Sequence, residues 1–231
     1  IMAIASCHGL AVLEDAAQGA MATYMGRPLG SIGTLGALSF HETKNVISGE
    51  GGALLVNDRR LVDRAEVIRE KGTNRARFFR GEVDKYTWED IGSSFLPGEI
   101  VAAFLWAQLQ HAREITDARL ALWSRYHEAF AHLESRGVVR RPIIPESCEH
   151  NAHMYYLLLA PYLDRGVVLD RLRTRGVRSV FHYVPLHSSP AGQRYGQTRT
   201  TLPVTEDVAA RLIRLPLWVC LLYTSDAADE G

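Results

Sequence analysis

A short apolar run, Ala11-Val12-Leu13, ends on two adjacent carboxylates, Glu14 and Asp15. A run this short, closed by acids, reads as a buried strand with polar side chains at its C-terminal end. In an open α/β sheet that edge is where ligands bind. A second run, Ala37-Leu38-Ser39-Phe40, leads directly into His41-Glu42-Thr43-Lys44-Asn45. A lysine therefore follows the second strand much as an acid closes the first. The glycine-rich turn Ser48-Gly49-Glu50-Gly51-Gly52 and another strand, Ala53 to Val56, come next.

The rest of the chain fits an α/β reading. Residues 1–9 fit the end of a helix stopped at His8-Gly9, and 22–30 carry the turn signals of a small hairpin. Residues 59–71 form an amphipathic helix with Leu61, Ala65 and Ile68 on one face, stopped at Gly72. Residues 73–97 are polar and aromatic without a period, and so long a loop is usually functional or interfacial. From Gly98 to Ser135 the pattern is helical, with Tyr126, Phe130 and Leu133 as packing residues. Residues 150–185 read strand, helix, strand, a small α/β layer, and Pro203 to Leu215 adds a helix.

Lys and Arg together number 26, as do Asp and Glu, so the net charge is zero and a general basic surface for nucleic acid is excluded. No apolar run reaches the roughly 20 residues that span a bilayer. The three cysteines, Cys7, Cys148 and Cys220, are distant and odd in number, which suits reduced thiols in the cytoplasm rather than a disulfide framework. Cys148, His150 and His153 match no four-ligand zinc spacing, so no metal is expected. Gly30, Gly33 and Gly36 are spaced G-x-x-G-x-x-G with no strand-to-helix setting, which rejects a dinucleotide fingerprint. The last residues, 221–231, continue no pattern and read as a non-native or disordered tail.

The segments VLEDAAQG, SFHETKN and GEGGALLVND resemble the core motifs of the DegT/DnrJ/EryC1/StrS sugar aminotransferases. REKGTNR, KYTWEDIGSS and FHYVPLH resemble most the subgroup that makes dTDP-4-amino-4,6-dideoxygalactose. The resemblance implies an aspartate-aminotransferase-like α/β fold (type I, pyridoxal-phosphate-dependent). Residues 1–105 would be the second half of a large cofactor domain and 106–220 a smaller C-terminal α/β domain. In the family a long segment precedes the VLEDAAQ motif and supplies part of the cofactor cradle. The chain is therefore expected to be N-terminally truncated and, by itself, possessed of only part of that cradle; an inert fragment is the alternative reading. A sugar dehydratase on the same fold is a second alternative, but those enzymes carry histidine where Lys44 stands.

Roles follow by resemblance. Lys44 is similar to the lysine that attaches to the aldehyde of pyridoxal 5'-phosphate and then moves a proton, work that requires an amine below its free value of about 10.4. Asp15 is similar to the carboxylate that pairs with the pyridine nitrogen. Gln18 lies by resemblance near the ring, and Ser39 donates to the phosphate. Ser94 stands where many members have an asparagine reaching the neighbouring subunit's phosphate, and its reach is shorter. His41 is a further pocket candidate. Arg75 and Arg80, with Arg77, form an arginine cluster suited to a diphosphate. Tyr183 and His187 close a strand expected to face the sugar. The resemblance implies a homodimer with shared active sites, a nucleotide-sugar substrate and glutamate as amino donor.

Overall fold

The structure, a computed structural model, describes residues 1–219. Cys220 and the tail read over 221–231 lie outside the described residues. In chain order the elements begin with α1 (Met2–Cys7), β1 (Leu13–Asp15), β2 (Thr23–Tyr24), β3 (Arg27–Pro28), β4 (Leu35–Ser39) and β5 (Gly52–Val56). Four helices follow: α2 (Val62–Arg69), α3 (Arg75–Phe79), α4 (Glu99–Gln110) and α5 (Ala112–Ala129). Then come α6 (Ala131–Ser135), β6 (Val139–Arg140), β7 (Cys148–Glu149), β8 (Tyr155–Leu159) and α7 (Arg165–Thr174). The described chain closes with β9 (Val180–Phe181), α8 (Pro190–Tyr195), α9 (Pro203–Arg211) and β10 (Leu212–Leu215). It divides into two compact units, Ile1–Thr116 with Pro145–Asn151, and Asp117–Ile144 with the chain from Ala152 onward.

Three expectations are corrected. The helix expected from 98 to 135 is three helices, interrupted at His111 and Phe130. The interruption at His111 accompanies the packing of Ala112, 7% exposed, against Phe40 and Val46. The helix expected to run to Leu215 stops at Arg211, and Leu212–Leu215 pairs with β8 on one side and β9 on the other. A central strand gains ladder bonds on both edges, which outweighs a local helical pattern. Within 73–97 lies the short helix α3, and the surrounding loop closes on itself. Buried Asn74 accepts from the Thr87 N–H at 2.8 Å and donates to the Lys85 carbonyl at 3.3 Å. Gly72 closes the loop at φ +74°, where a Cβ would meet the Asp90 carbonyl at 1.7 Å.

In the first unit a three-stranded sheet runs β1-β4-β5, with β1 parallel and β5 antiparallel to β4. Strand alternation sends Glu14 and Asp15 to opposite faces. Glu14 accepts N–H bonds from Gly30 (3.0 Å), Ile32 (2.6 Å) and Gly33 (2.6 Å). Asn57 donates to the carbonyls of Gly30 and Gly33 at 2.8 and 3.0 Å. The glycine stretch rejected as a nucleotide loop is thus a clasped turn folded back on β4, where a Cβ on Gly36 would lie 2.2 Å from the Gly30 carbonyl. Burial raises the Glu14 carboxyl, but the three N–H donors and Arg27 outweigh it and hold the group below its ordinary value.

The first unit is tied together by Asn151. Its side-chain amide donates to the carbonyls of Gln18 and Ala20, each at 2.7 Å. Its own carbonyl accepts the Asn45 amide at 2.6 Å. The pairing of β2 with β7, Thr23↔Glu149 and Tyr24↔Cys148, brings that residue into place. The turn after β1 and the loop after β4 are therefore held by one side chain and its main-chain oxygen.

The second unit is built on an antiparallel sheet ordered β6-β8-β10-β9. One face supplies the core: Tyr155 is fully buried, Ile213 2% exposed and Leu157 and Leu159 each 3%. The ring of Tyr155 meets Trp123 edge-on, with centroids 5.3 Å apart, and Tyr126 at 5.2 Å. Buried Arg119 donates to the carbonyls of Ala152 and His153 at 3.1 and 2.8 Å, and burial pushes its guanidinium down.

Two outcomes follow. Asn151→Ala leaves the Gln18 and Ala20 carbonyls without their donor and destabilises the first unit by about 2 kcal/mol. Urea unfolding, with faster hydrogen exchange over residues 15–20 and 41–48, checks it. Glu14→Gln costs about 1 kcal/mol at neutral pH after solvent screening. The carboxyl is depressed in the folded chain, so its contribution is full above the ordinary 4.5 and fades as pH falls through the lower folded value. The stability gap between parent and variant, followed by denaturation from pH 7 to pH 3, should close.

Candidate active site

The loop carrying Lys44 is pinned at its neck. Phe40 N–H donates to the Gly51 carbonyl (2.9 Å), Glu42 N–H to Gly49 (2.8 Å) and Ser48 N–H to Phe40 (2.7 Å). Ser48 Oγ–H donates to the Glu50 carbonyl at 2.6 Å. Val46, 1% exposed, anchors the loop against Phe40 and Ala112, and Asn45 anchors it to Asn151. Lys44 stands beside these anchors, its N–H donating to the His41 carbonyl at 2.9 Å. The sequence holds three lysines. Lys71 and Lys85 are exposed, whereas Lys44 is half-buried, with no acid partner among the described residues.

Asp15 closes β1 directly opposite Ala37 of β4. Ser39 lies two residues beyond Ala37, so it shares a face with Asp15, about 5 Å across the strands and about 7 Å further along. Asp15 accepts one local bond, from Ala17 N–H at 3.1 Å, and is otherwise exposed. Gln18 extends an exposed side chain from the turn held by Asn151. Ser39 Oγ accepts a long bond from His41 N–H at 3.4 Å. Sequence reasoning took the two acids together; the structure commits Glu14 to the clasped turn and leaves Asp15 at the sheet edge.

The other candidates fall elsewhere. The His41 ring is engaged by its own loop, with Nδ1 2.9 Å from Thr43 Oγ1 and Nε2 3.7 Å from Glu50. Arg75 pairs with buried Glu70 at 2.9 Å and lies over the Phe79 ring at 5.0 Å. Arg80 bonds both oxygens of Glu66 at 2.9 Å and Glu82 at 2.7 Å, and these carboxylates raise its guanidinium further. A diphosphate would engage these arginines only by exchanging with their carboxylates. Ser94 is exposed, in a backbone bridge with Glu70. In the second unit exposed Tyr183 lines a recess of about 200 Å³ with Arg165, Phe181 and Glu206. His187 Nε2 is 2.7 Å from Glu206.

Sequence reasoning missed Asn45 and Asn151. A buried asparagine has no local signature, and only its partners reveal its role. Lys44, Asp15, Ser39 and Gln18 offer an amine, a carboxylate, a hydroxyl and an amide on elements fixed to one another. That donor set fits an anionic pyridine aldehyde: the amine suits the aldehyde, the acid a ring nitrogen, and the hydroxyl a phosphoryl oxygen.

Residues 1–228 match the DegT/DnrJ/EryC1/StrS aminotransferase family. The spore coat polysaccharide biosynthesis protein SpsC of Bacillus subtilis is 30% identical over all of this chain and 60% of its own length. The dTDP-3-amino-3,4,6-trideoxy-alpha-D-glucose transaminase of Streptomyces venezuelae is 30% identical over 93% of this chain and 53% of its own. The chain thus spans between half and two thirds of the length of these relatives. Among solved structures, DesV of S. venezuelae is 29% identical with a TM-score of 0.81, covering 99% of this chain and 60% of that one. Spr1654 of Streptococcus pneumoniae, in its PLP form, shares the fold at 22% identity, with a TM-score of 0.78 over 96% of this chain and 55% of that one. Enzymes of the family depend on pyridoxal phosphate. No helix among the described residues is long and apolar enough to cross a membrane. With the lysine, acid and hydroxyl arranged as above and the family matched from end to end of the described chain, the protein belongs to the DegT/DnrJ/EryC1/StrS aminotransferases.

Proposed function

We propose that this chain is the lysine-bearing part of a pyridoxal-phosphate aminotransferase. It transfers an amino group from L-glutamate to the 4-keto carbon of a dTDP-4-keto-6-deoxyhexose, for surface polysaccharide synthesis. The observation that carries the reading is Lys44, a half-buried amine without an acid partner, on a pinned loop one strand away from Asp15. Relatives named for dTDP-sugar transamination and for spore coat polysaccharide support the substrate class and the pathway type. The segments KGTN and KYTWEDIGSS support the 4-amino subgroup. A cytoplasmic homodimer with shared active sites belongs to the same proposal, as does the relation of residues 1–105 and 106–220 to the large and small domains.

Bound pyridoxal phosphate supplies an aldehyde that captures amines and a ring that draws electrons from the substrate carbon. Lys44 Nζ holds the aldehyde end and, once released, takes and returns a proton at the reacting carbon. Asp15 holds a proton at the ring nitrogen, since a carboxylate at hydrogen-bond range favours the charged form. Ser39 Oγ–H donates to a phosphoryl oxygen, Ser94 offers a shorter-reaching donor to the phosphate of the neighbouring subunit, and Gln18 orients the ring. His41, Arg75, Arg80, Tyr183 and His187 remain the proposed contacts for the nucleotide sugar.

Two experiments test these roles. Mixing the chain with pyridoxal phosphate and reducing with borohydride should place the label on the Lys44 peptide; Lys44→Ala should carry none. A label shared equally by Lys71 and Lys85 would refute the lysine assignment. Asp15→Asn should still be labelled on Lys44, yet react with L-glutamate about a hundredfold more slowly or worse, followed by loss of the visible absorbance. An unchanged rate removes Asp15 from the ring nitrogen.

A further inference from the structure

The lining of the recess beside Tyr183 comes entirely from the second unit. It lies between the first residue of α7, the chain leaving β9 and one face of α9. Glu206, Ala209 and Ala210 are spaced i, i+3, i+4 and so share that face. The two alanines leave room that longer side chains would fill. Phe181 and Tyr183 supply rings that are 50% and 73% exposed. A volume of about 200 Å³ is below the roughly 300–1,000 Å³ that encloses a drug-sized ligand, so the recess takes one end of a ligand.

Its polar groups have spare capacity. Arg165 donates from one terminal nitrogen to the Ala209 carbonyl, and its Cζ lies 5.3 Å from the Phe181 ring centroid. Its remaining N–H groups meet no acceptor among the described residues. Glu206 Oε1 is 2.7 Å from His187 Nε2, while Oε2 meets no donor among the described residues. A guanidinium only donates and an ionised carboxylate only accepts. The recess thus offers one donor group and one acceptor group beside an aromatic wall. A free amino acid would use that pair but leave the rings bare. A hexose carries hydroxyls on every side, and most of this lining is carbon. A planar heterocycle with a donor and an acceptor side by side on one edge uses all of it. Its ring stacks on the open face of Tyr183, whose centroid lies 5.9 Å from the Arg214 Cζ on the other side.

We propose that this recess holds the pyrimidine base of the nucleotide sugar. Arg165 donates to a ring carbonyl or ring nitrogen, Glu206 Oε2 accepts the neighbouring N–H, and Tyr183 carries the ring. A pyrimidine is a single ring with such an edge, whereas a purine adds a second ring that the volume does not enclose. The choice of a pyrimidine among planar heterocycles rests on the nucleotide-sugar reading; the recess and its donor–acceptor pair do not.

The test uses the whole chain with thymidine and, separately, cytidine, which carry the base without phosphate. Saturation-transfer NMR should show the base protons receiving more saturation than the ribose protons, with binding that saturates in about the millimolar range. Binding of either nucleoside in this way supports the site, and the preferred one identifies the base. Tyr183→Ala and Glu206→Ala alter exposed side chains, so circular dichroism should be unchanged, and each should weaken the binding about tenfold. No saturable binding up to about 10 mM overturns the proposal. So does saturation centred on the ribose, or both variants binding as tightly as the parent. Adenosine binding as tightly as the pyrimidines, or L-glutamate displacing them, also overturns it, since the recess would then be a general stacking surface or an amino-acid site. Lys44→Ala should bind thymidine like the parent, so failure here is separable from failure of the Lys44 labelling.

Discussion

Asn151 donates both hydrogens of its side-chain amide to the carbonyls of Gln18 and Ala20, and its main-chain oxygen accepts the amide of Asn45. The turn that follows Asp15 and the loop that carries Lys44 are separate excursions from neighbouring strands. Each is too short to fix its own position. A buried side chain that satisfies both costs little once formed, whereas each carbonyl left without it would cost about 1–3 kcal/mol. That asymmetry makes the arrangement specific. The amine and the acid keep their relation because the main chain beneath them has no cheap alternative.

The same reasoning separates structural charge from available charge. Glu14 and Asp15 are neighbours in sequence and identical in chemistry as carboxylates. Glu14 is consumed by three N–H groups of the clasped turn, while Asp15 keeps only one local bond. Arg75 and Arg80 are likewise engaged by Glu70, Glu66 and Glu82, and that network orders the long loop after α2. The more exposed of these pairs, those of Arg80, contribute little to stability one by one. Here they matter for geometry, since they tie α2 to α3 and to Glu82 beyond it, at the foot of a loop whose base is closed by Gly72. Lys44 stands out against this background as a half-buried lysine with no acid partner among the described residues.

Much of the candidate site was legible along the chain. Apolar runs of strand length ending in Asp15 and Ser39, a lysine just beyond, and glycines closing the loop are local patterns. Local chemistry produces them whatever surrounds them. The hairpin at 22–30 was equally visible, because Met25 and Gly26 adopt the positive φ that such a turn needs. The interrupted helix after Gly98 and the strand Leu212–Leu215 were not visible. Both depend on partners distant in sequence: Ala112 against Phe40 and Val46, and β10 between β8 and β9.

The sequence by itself determined the residue types of the site, their order, and the family to which the motifs belong. Those are properties of short segments, set by strand period, turn residues and side-chain chemistry. The tertiary structure alone decided which carboxylate stays available, which asparagines hold the loops, and which arginines are engaged by acids. A hydrogen-bond partner or a counter-charge is a fact about neighbours in space, and residues 18, 45 and 151 become neighbours only when β7 pairs with β2.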